Sequence, residues 1–106
     1  MQQISAIDLQ SRINKPDFSA LLLDVREPNE FEYCHITGST LIPMQTIPNR
    51  LNELPKDQTI ITICHHGMRS QQVAQFLEQN GFTDLINLQG GVHAWASEVD
   101  NAMPTY

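Results

Sequence analysis

The stretch that decides the fold is residues 59–70, which read TIITICHHGMRS. Thr59 to Ile63 are all β-branched and favour a strand, whereas apolar residues recur with helical spacing from Ser70 to Asn80. A strand that passes through a short turn into a helix is the repeating unit of parallel α/β sheets. Cys64 follows the strand directly, so it lies at the carboxyl edge of the predicted sheet, where such sheets bind ligands.

The rest of the chain alternates between strand and helix patterns in the same way. Apolar runs predict strands at residues 20–25, 40–42 and 85–88, and helices are predicted to start at Ser5, Pro28, Ile47 and about Gly91. The helix from Ile47 is expected to continue to Leu54. This order predicts an α/β fold with a central parallel sheet flanked by helices on both faces.

The loop after the strand surrounds Cys64 with groups that favour an anion. Successive backbone N–H groups can converge on one point, with the positive end of the following helix behind them and the Arg69 guanidinium nearby. These charges favour a thiolate, which is the nucleophilic form of cysteine. We therefore predict Cys64 as the nucleophile, and an active-site loop that consists of His65, His66, Gly67, Met68, Arg69 and Ser70.

The spacing within this loop limits what it can bind. Four residues separate Cys64 from Arg69, so the ring of backbone amides spans six residues. A ring of this size encloses a small anion or one additional sulfur atom, whereas a phosphate group needs a wider ring. Gly67 is expected to supply a backbone angle or close approach that a side chain would forbid, and Ser70 is expected to cap the helix.

Composition and charge exclude several classes of protein. With 106 residues, 41% of them apolar, the chain suits one domain over residues 1–106, with a core from about 4 to 97 and a loosely ordered tail. The net charge of −6 argues against nucleic acid or an anionic membrane as partner. Two cysteines are too few for a disulfide framework, and no secretion signal or membrane span is apparent. We expect a soluble, cytoplasmic protein.

Four segments resemble the single-domain rhodaneses, a family of sulfurtransferases. Their active loop has the form Cys-x-x-Gly-x-Arg-Ser, which residues 64–70 match, whereas related phosphatases carry five residues between the cysteine and the arginine. The other matching segments are LDVREPNEF at 23–31, HITGS at 35–39 followed by Ile42-Pro43, and LQGGVHAW at 88–95. The resemblance extends over roughly residues 4 to 97 and implies the rhodanese-like fold.

The family implies a thiosulfate sulfurtransferase that needs no cofactor. In that reaction the Cys64 thiolate takes the outer sulfur of a small anionic donor such as thiosulfate, and a thiol, or cyanide in vitro, removes it from a Cys64 persulfide. Arg69 would hold the anionic end of the donor. A small phosphatase or arsenate reductase is disfavoured by the length of the loop.

An alternative of another class is a sulfur-relay or interaction module. Such a module would receive sulfur from a desulfurase protein, or pass it to a sulfur-carrier protein, and make little use of free thiosulfate. Residues 90–95 and the tail 98–106 look similar to rhodanese domains that are fused to enzymes activating ubiquitin-like sulfur carriers. That similarity favours a protein partner.

The remaining charged and sulfur-containing residues have other expected roles. Asp24, Arg26 and Glu30 are charged groups beside a buried strand end, where such groups rarely remain unpaired, and we expect Asp24 and Arg26 to support the fold or the loop. Cys34 replaces a glycine that is common in rhodaneses, and a resolving role against Cys64 stays an alternative. Trp95 is expected in the core.

No metal site is predicted. His65 and His66 are adjacent, and neither they nor Cys34-His35 show the ligand spacing of a zinc site. In the rhodanese family these two loop positions shape the rim of the pocket, so the resemblance implies that the imidazoles of His65 and His66 influence recognition of the acceptor. His93 is expected on the surface of the last helix.

Overall fold

A computed structural model describes residues 1–106 and contains one five-stranded sheet. In chain order the elements are β1 (Gln2–Ile4), α1 (Ala6–Ile13), β2 (Leu21–Asp24), α2 (Pro28–Tyr33), β3 (Thr40–Leu41), β4 (Ile60–Ile63), α3 (Met68–Gln79), β5 (Leu85–Leu88) and α4 (Gly91–Glu98). The strand order is β1-β5-β4-β2-β3, and every pair is parallel. The predicted α/β class and parallel sheet are confirmed.

Helices cover both faces of the sheet, as the sequence predicted. Side chains of α1 and α4 form one apolar cluster with Leu22, Ile61 and Ile63, whereas α3 packs in a second cluster with Leu23 and Ile60. Neighbouring residues of a strand point to opposite faces, so each central strand contributes to both clusters. All four residues of β4 are buried, and this strand carries Cys64 at its end.

The segment before β4 differs from its prediction. The expected helix from Ile47 to Leu54 is instead a pair of 3-10 helices, Met44–Asn49 and Leu51–Glu53. The first of them begins at Met44, three residues earlier than expected, so Pro48 lies in its interior, where its missing N–H and its ring are incompatible with an α-helical bond to the Met44 carbonyl. The prediction of one α-helix here was therefore wrong, although Ile47 and Leu54, two of the apolar residues on which it rested, are buried.

Both ends of the chain make contacts that the sequence pattern did not indicate. The sequence analysis missed β1, an edge strand in which only Ile4 is buried. After α4 the chain turns back, Met103 packs against the first cluster, and Tyr106 reaches the residues around the active loop. The expectation of a loosely ordered tail stays a prediction. None of the helices combines the length and the apolar character that crossing a membrane requires.

Candidate active site

Cys64 lies at the bottom of a small cavity at the carboxyl edge of the sheet. Its residue is 1% exposed, and its Sγ accepts a hydrogen bond of 3.1 Å from the Gly67 backbone amide. The Ser70 hydroxyl lies 3.3 Å from the same sulfur. The cavity measures about 210 Å³ and is lined by Cys64, His65, His66, Met68 and Arg69. The structure therefore brings the predicted loop residues together around one thiol.

The first turn of α4 orients the loop peptides. The amide of Val92 donates to the Cys64 carbonyl at 2.8 Å, and the amide of His93 donates to the His65 carbonyl at 3.0 Å. All peptide bonds are trans, and in a trans peptide the N–H points opposite to the C=O. Because these two carbonyls point toward α4, the N–H groups that follow them point away from α4. Contact with a neighbouring helix thus sets the direction of the loop dipoles.

Gly67 has the backbone role that the sequence predicted. Its φ is +99°, a left-handed conformation that side chains rarely adopt, and it precedes the first residue of α3. A Cβ at this position would lie 3.2 Å from both the Gly90 nitrogen and the Leu88 carbonyl oxygen. The tight turn lets the Gly67 amide reach the sulfur of Cys64.

Ser70 does not cap the helix, so that prediction was wrong. Helix α3 begins at Met68, because the left-handed Gly67, three residues before Ser70, occupies the capping position. Ser70 is buried within the first turn, and its hydroxyl hydrogen-bonds the Asn87 side-chain oxygen as well as facing Cys64. A hydroxyl has one proton, so it donates either to the sulfur or to Asn87.

Asn87 is a site residue that the sequence analysis missed. It lies in β5, is 1% exposed, and donates through Nδ2 to the Gly67 carbonyl at 3.0 Å. Its side chain thereby connects the strand to the loop and to Ser70. An asparagine inside the apolar run Leu85–Leu88 is a signal that was present in the sequence, since buried polar side chains require partners.

Arg69 forms an ion pair with Glu30, a contact that the sequence analysis did not predict. Its two terminal nitrogens donate to the two oxygens of Glu30 at 2.8 and 2.9 Å. This bidentate pair lowers the pKa of Glu30 to about 2. Arg69 therefore lies beside the cavity as predicted, but its charge is compensated by a residue of α2.

A chain of polar contacts continues from this pair into the interior. The Tyr106 hydroxyl donates to Glu30 at 2.8 Å and accepts from Arg26 at 2.7 Å. Burial raises the pKa of Tyr106 to about 12, so the phenol stays protonated. Arg26 in turn pairs with Asp24 at 2.7 Å and donates to the Cys34 carbonyl at 2.7 Å.

Asp24 and Arg26 are both completely buried, at 0% exposure. The sequence analysis expected charged groups at this strand end to be paired without naming their partners, and the structure pairs Asp24 with Arg26. They do not line the Cys64 cavity. A supporting role for them in the site stays a prediction.

The histidines adopt a more compact arrangement than the sequence indicated. The rings of His65 and His66 have centroids 4.0 Å apart, and Tyr106 stacks on His65 at 3.9 Å. Burial lowers the pKa of His65, as does the neighbouring His66. His93 is exposed on α4, as expected, but its ring lies only 5.0 Å from that of His66.

Cys34 and Cys64 pack in different apolar clusters, and both thiols are free. Cys34 belongs to the cluster beneath α1 and α4, whereas Cys64 belongs to the one beneath α3. Trp95 is 8% exposed and packs with Cys34, which confirms its predicted place in the core.

We expect Gly91→Ala to disrupt the loop far more than Gly38→Ala. Both glycines have positive φ, but a Cβ on Gly91 would lie 2.3 Å from the Cys64 carbonyl oxygen, whereas a Cβ on Gly38 would have no neighbour within 4 Å. Gly91→Ala should lower the free energy of unfolding by about 3 kcal/mol, against about 1 kcal/mol for Gly38→Ala. Urea unfolding measures both, and equal losses would contradict the contact between α4 and the loop.

The Glu30–Arg69 pair should appear in the pH dependence of stability. The pKa of Glu30 falls from 4.5 to about 2 on folding, so its stabilisation is complete above pH 4.5 and is lost as the pH falls toward 2. Glu30→Gln should cost about 1 kcal/mol at pH 7, because the pair is partly solvated, and less at pH 3. The matched control is Glu32→Gln, an exposed acid of the same helix without an ion pair. If the unfolding free energies of Glu30→Gln and native protein differ by the same amount at pH 3 and pH 7, the result would argue against the Glu30–Arg69 pair.

The chain belongs to the rhodanese-like domain family, whose model matches residues 5–98. A sulfurtransferase of Allochromatium vinosum is 35% identical over 96 residues, which cover 91% of this chain and 89% of that protein. Protein YqhL of Bacillus subtilis is 42% identical over 80 residues, or 76% of this chain. The crystal structure of a rhodanese-like domain protein from Staphylococcus aureus has a TM-score of 0.86 and 33% identity, with 100% of this chain and 99% of that chain covered.

Several relatives are longer than this chain. The chain spans 64% of YqhL, 45% of the putative sulfur carrier protein YrkF of Bacillus subtilis, and 22% of the probable adenylyltransferase/sulfurtransferase MoeZ of Mycobacterium tuberculosis. The relatives therefore include proteins named as sulfurtransferases and as a sulfur carrier, and the same fold occurs within larger proteins. The predicted family and fold are confirmed.

Proposed function

We propose that the chain is a sulfurtransferase that carries sulfur as a persulfide on Cys64. The observation that carries the proposal is the position of the Cys64 sulfur, which accepts a hydrogen bond from the Gly67 amide at the bottom of a cavity of about 210 Å³. The cavity is small, and hydrogen-bond donors at its bottom suit a negatively charged sulfur. Names of relatives such as the Allochromatium sulfurtransferase support the same chemistry.

The first step is attack of the Cys64 thiolate on the outer sulfur of thiosulfate. A sulfur–sulfur bond forms to Cys64, the original sulfur–sulfur bond of the donor breaks, and sulfite leaves with the bonding electron pair. The product is a Cys64 persulfide, whose terminal sulfur lies within the loop. The Gly67 amide, which donates to the Cys64 sulfur, supports this step because it would stabilise the negative charge of the persulfide.

The second step returns the enzyme to its thiolate form. A thiol acceptor, or cyanide in vitro, attacks the terminal sulfur and takes it, and the electron pair of the broken bond stays on Cys64. No electrons are gained or lost overall by the protein, so the cycle needs no redox cofactor. His65 and His66 line the cavity and would contact the acceptor as it enters.

The Arg69–Glu30 contact favours a second candidate, a relay that exchanges sulfur with protein partners. The bidentate pair compensates the cation that a free thiosulfate ion would otherwise bind. A donor protein with a persulfide does not require that cation. Larger relatives such as MoeZ, and the putative sulfur carrier YrkF, make a desulfurase or a sulfur carrier a reasonable partner.

We further propose that residues 1–106 act as one domain in a reducing compartment such as the cytoplasm. Two free thiols at Cys34 and Cys64 support such a compartment, because a reactive thiol stays reduced there. We propose neither a nucleic acid nor a membrane surface as partner, since the net charge of −6 is unfavourable for both.

Intact-mass spectrometry tests the persulfide directly. After incubation with thiosulfate and removal of excess donor, native protein should gain about 32 Da, one sulfur atom, and peptide mapping should place it on Cys64. Addition of cyanide should remove the added mass. Sulfur found on Cys34 instead, or no added mass from any sulfane donor, would contradict the proposal.

A phosphatase assay separates sulfur chemistry from phosphate chemistry. The six-residue loop should crowd the equatorial oxygens of a phosphoryl group in transfer, so we expect no turnover of p-nitrophenyl phosphate. Thiocyanate formation from thiosulfate and cyanide by the same preparation is the positive control. Robust phosphate release would reject the assignment. If thiosulfate gives no thiocyanate, but a desulfurase that carries a persulfide transfers sulfur to Cys64, the sulfur relay is the correct function.

A further inference from the structure

Three imidazoles meet beside the cavity that holds Cys64, and one of them comes from a distant part of the sequence. His65 and His66 belong to the loop, whereas His93 belongs to α4 and donates its amide to the His65 carbonyl. One ring nitrogen of each histidine lies within 4.8 Å of those of the other two. The contact between the loop and α4 thus fixes the backbones of all three residues.

The ring geometry requires only a small adjustment for all three nitrogens to reach one ion. Tetrahedral zinc with Zn–N bonds of about 2.0–2.1 Å needs ligand nitrogens about 3.4 Å apart, so the largest spacing must contract by about 1.4 Å. His66 and His93 are exposed, and rotation of their side chains disturbs no core packing. His65 is held more firmly, because Tyr106 stacks on its ring.

A second observation concerns the ring of His65 itself. The Nε2 atom of His65 is buried and has no hydrogen-bond partner, and it is the only side-chain nitrogen or oxygen of the chain in that state. Buried polar atoms are nearly always satisfied by protein, water or an ion. An imidazole nitrogen that is already shielded from solvent loses little hydration when it binds a cation.

We propose that His65, His66 and His93 bind a divalent transition-metal ion of the zinc class at the mouth of the Cys64 cavity. Imidazole nitrogen suits Zn²⁺, Ni²⁺ and Cu²⁺, whereas Mg²⁺ and Ca²⁺ prefer oxygen ligands. Three protein ligands leave a fourth coordination position open to water. Arg69 also borders His65, but its pairing with Glu30 reduces its repulsion of a metal cation.

The sequence alone gave no indication of this site. His65 and His66 are adjacent and have no partner at zinc-ligand spacing, and His93 lies 27 positions after His66. Parallel strands β4 and β5 end at the same edge of the sheet, so the segments that follow them are neighbours. This topology, and not local spacing, assembles the three rings.

Calorimetric titration with ZnCl₂ tests the proposal in a Cys64→Ser protein, which removes the thiolate as a competing zinc ligand. We expect one bound Zn²⁺ per chain, and at least about a 100-fold loss of affinity when His93→Ala is added. His35→Ala is the matched control, because His35 is exposed but stacks on Phe31, away from the three histidines. It should leave the affinity unchanged, and MgCl₂ should not bind.

Thermal unfolding with and without ZnCl₂ shows whether His93→Ala weakens zinc binding itself or only destabilises the fold. Because His93 is exposed, the variant should melt at the same temperature as its parent without metal, and Zn²⁺ should raise the melting temperature of the parent alone. Zinc binding that survives His93→Ala, or no binding by the Cys64→Ser protein at millimolar ZnCl₂, would overturn the proposal. In that event the imidazoles serve the acceptor of the sulfur.

Discussion

Cys64→Ser should lose thiosulfate-dependent thiocyanate formation by at least about 1000-fold, because it removes the atom that we propose as carrier of the transferred sulfur. A serine hydroxyl is ionised too weakly to attack sulfur at neutral pH. The variant should keep its fold, since serine is close to cysteine in size and the Gly67 amide can donate to its oxygen. Initial rates with varied thiosulfate at fixed cyanide measure the loss.

Cys34→Ser is the matched control for this experiment. Cys34 is also buried, at 8% exposure, but it packs in the other apolar cluster and does not line the cavity. Its carbonyl, which accepts from Arg26, is retained in the variant. We expect most of the activity to remain. An equal loss in both variants would indicate a mechanism that uses two thiols and would reject Cys64 as the sole carrier.

Asp24→Asn should cost about 3–5 kcal/mol of unfolding free energy, the largest effect on stability that we expect from one substitution. Asp24 accepts from the Arg26 backbone and from its Nε and Nη2 at 2.7–3.1 Å, and both side chains are completely buried. The variant leaves a buried guanidinium without a counter-charge. Because small domains have a total stability of about 5–15 kcal/mol, the loss should be visible as a large shift of the urea midpoint.

Two further variants show whether the expected loss of stability in Asp24→Asn comes from the unpaired buried charge or from the substitution of any acidic residue. Asp24→Asn combined with Arg26→Met removes both charges, so it should be more stable than Asp24→Asn alone. Glu53→Gln removes an acid that pairs with Arg50 on the surface, and it should unfold like native protein. If the double variant is no more stable than the single one, the unpaired charge is not the source of the loss.

The features that the sequence predicted well are those fixed by local pattern. Residues 59–63 are continuously β-branched, and Ile60–Ile63 form the central strand β4, while the glycine of the loop marks a left-handed turn. Ser5 and Pro28 start helices as their chemistry requires. In each case the deciding interaction lies within about four residues, so the pattern contains the physical cause.

The features that were missed depend on contacts between distant segments. Glu30 pairs with Arg69 across 39 positions, and Asn87 reaches Gly67 across 20. The sequence analysis predicted Ser70 as the helix cap because residue spacing does not show that Gly67 packs closely against the backbone of Leu88 and Gly90. Such contacts follow from the strand order, which a single sequence does not specify.

In the Arg69–Glu30 pair, the Glu30 carboxylate competes with any external anion for the Arg69 guanidinium. An oxyanion that approaches Arg69 has to displace a carboxylate of the same molecule, whose effective concentration is set by the fold and does not fall on dilution. A free donor therefore exchanges with Glu30 and does not simply add to an open cation. A donor that docks through another surface avoids this exchange. The discrimination between sulfur donors would then reside in α2, outside the loop that we propose as the site of sulfur transfer.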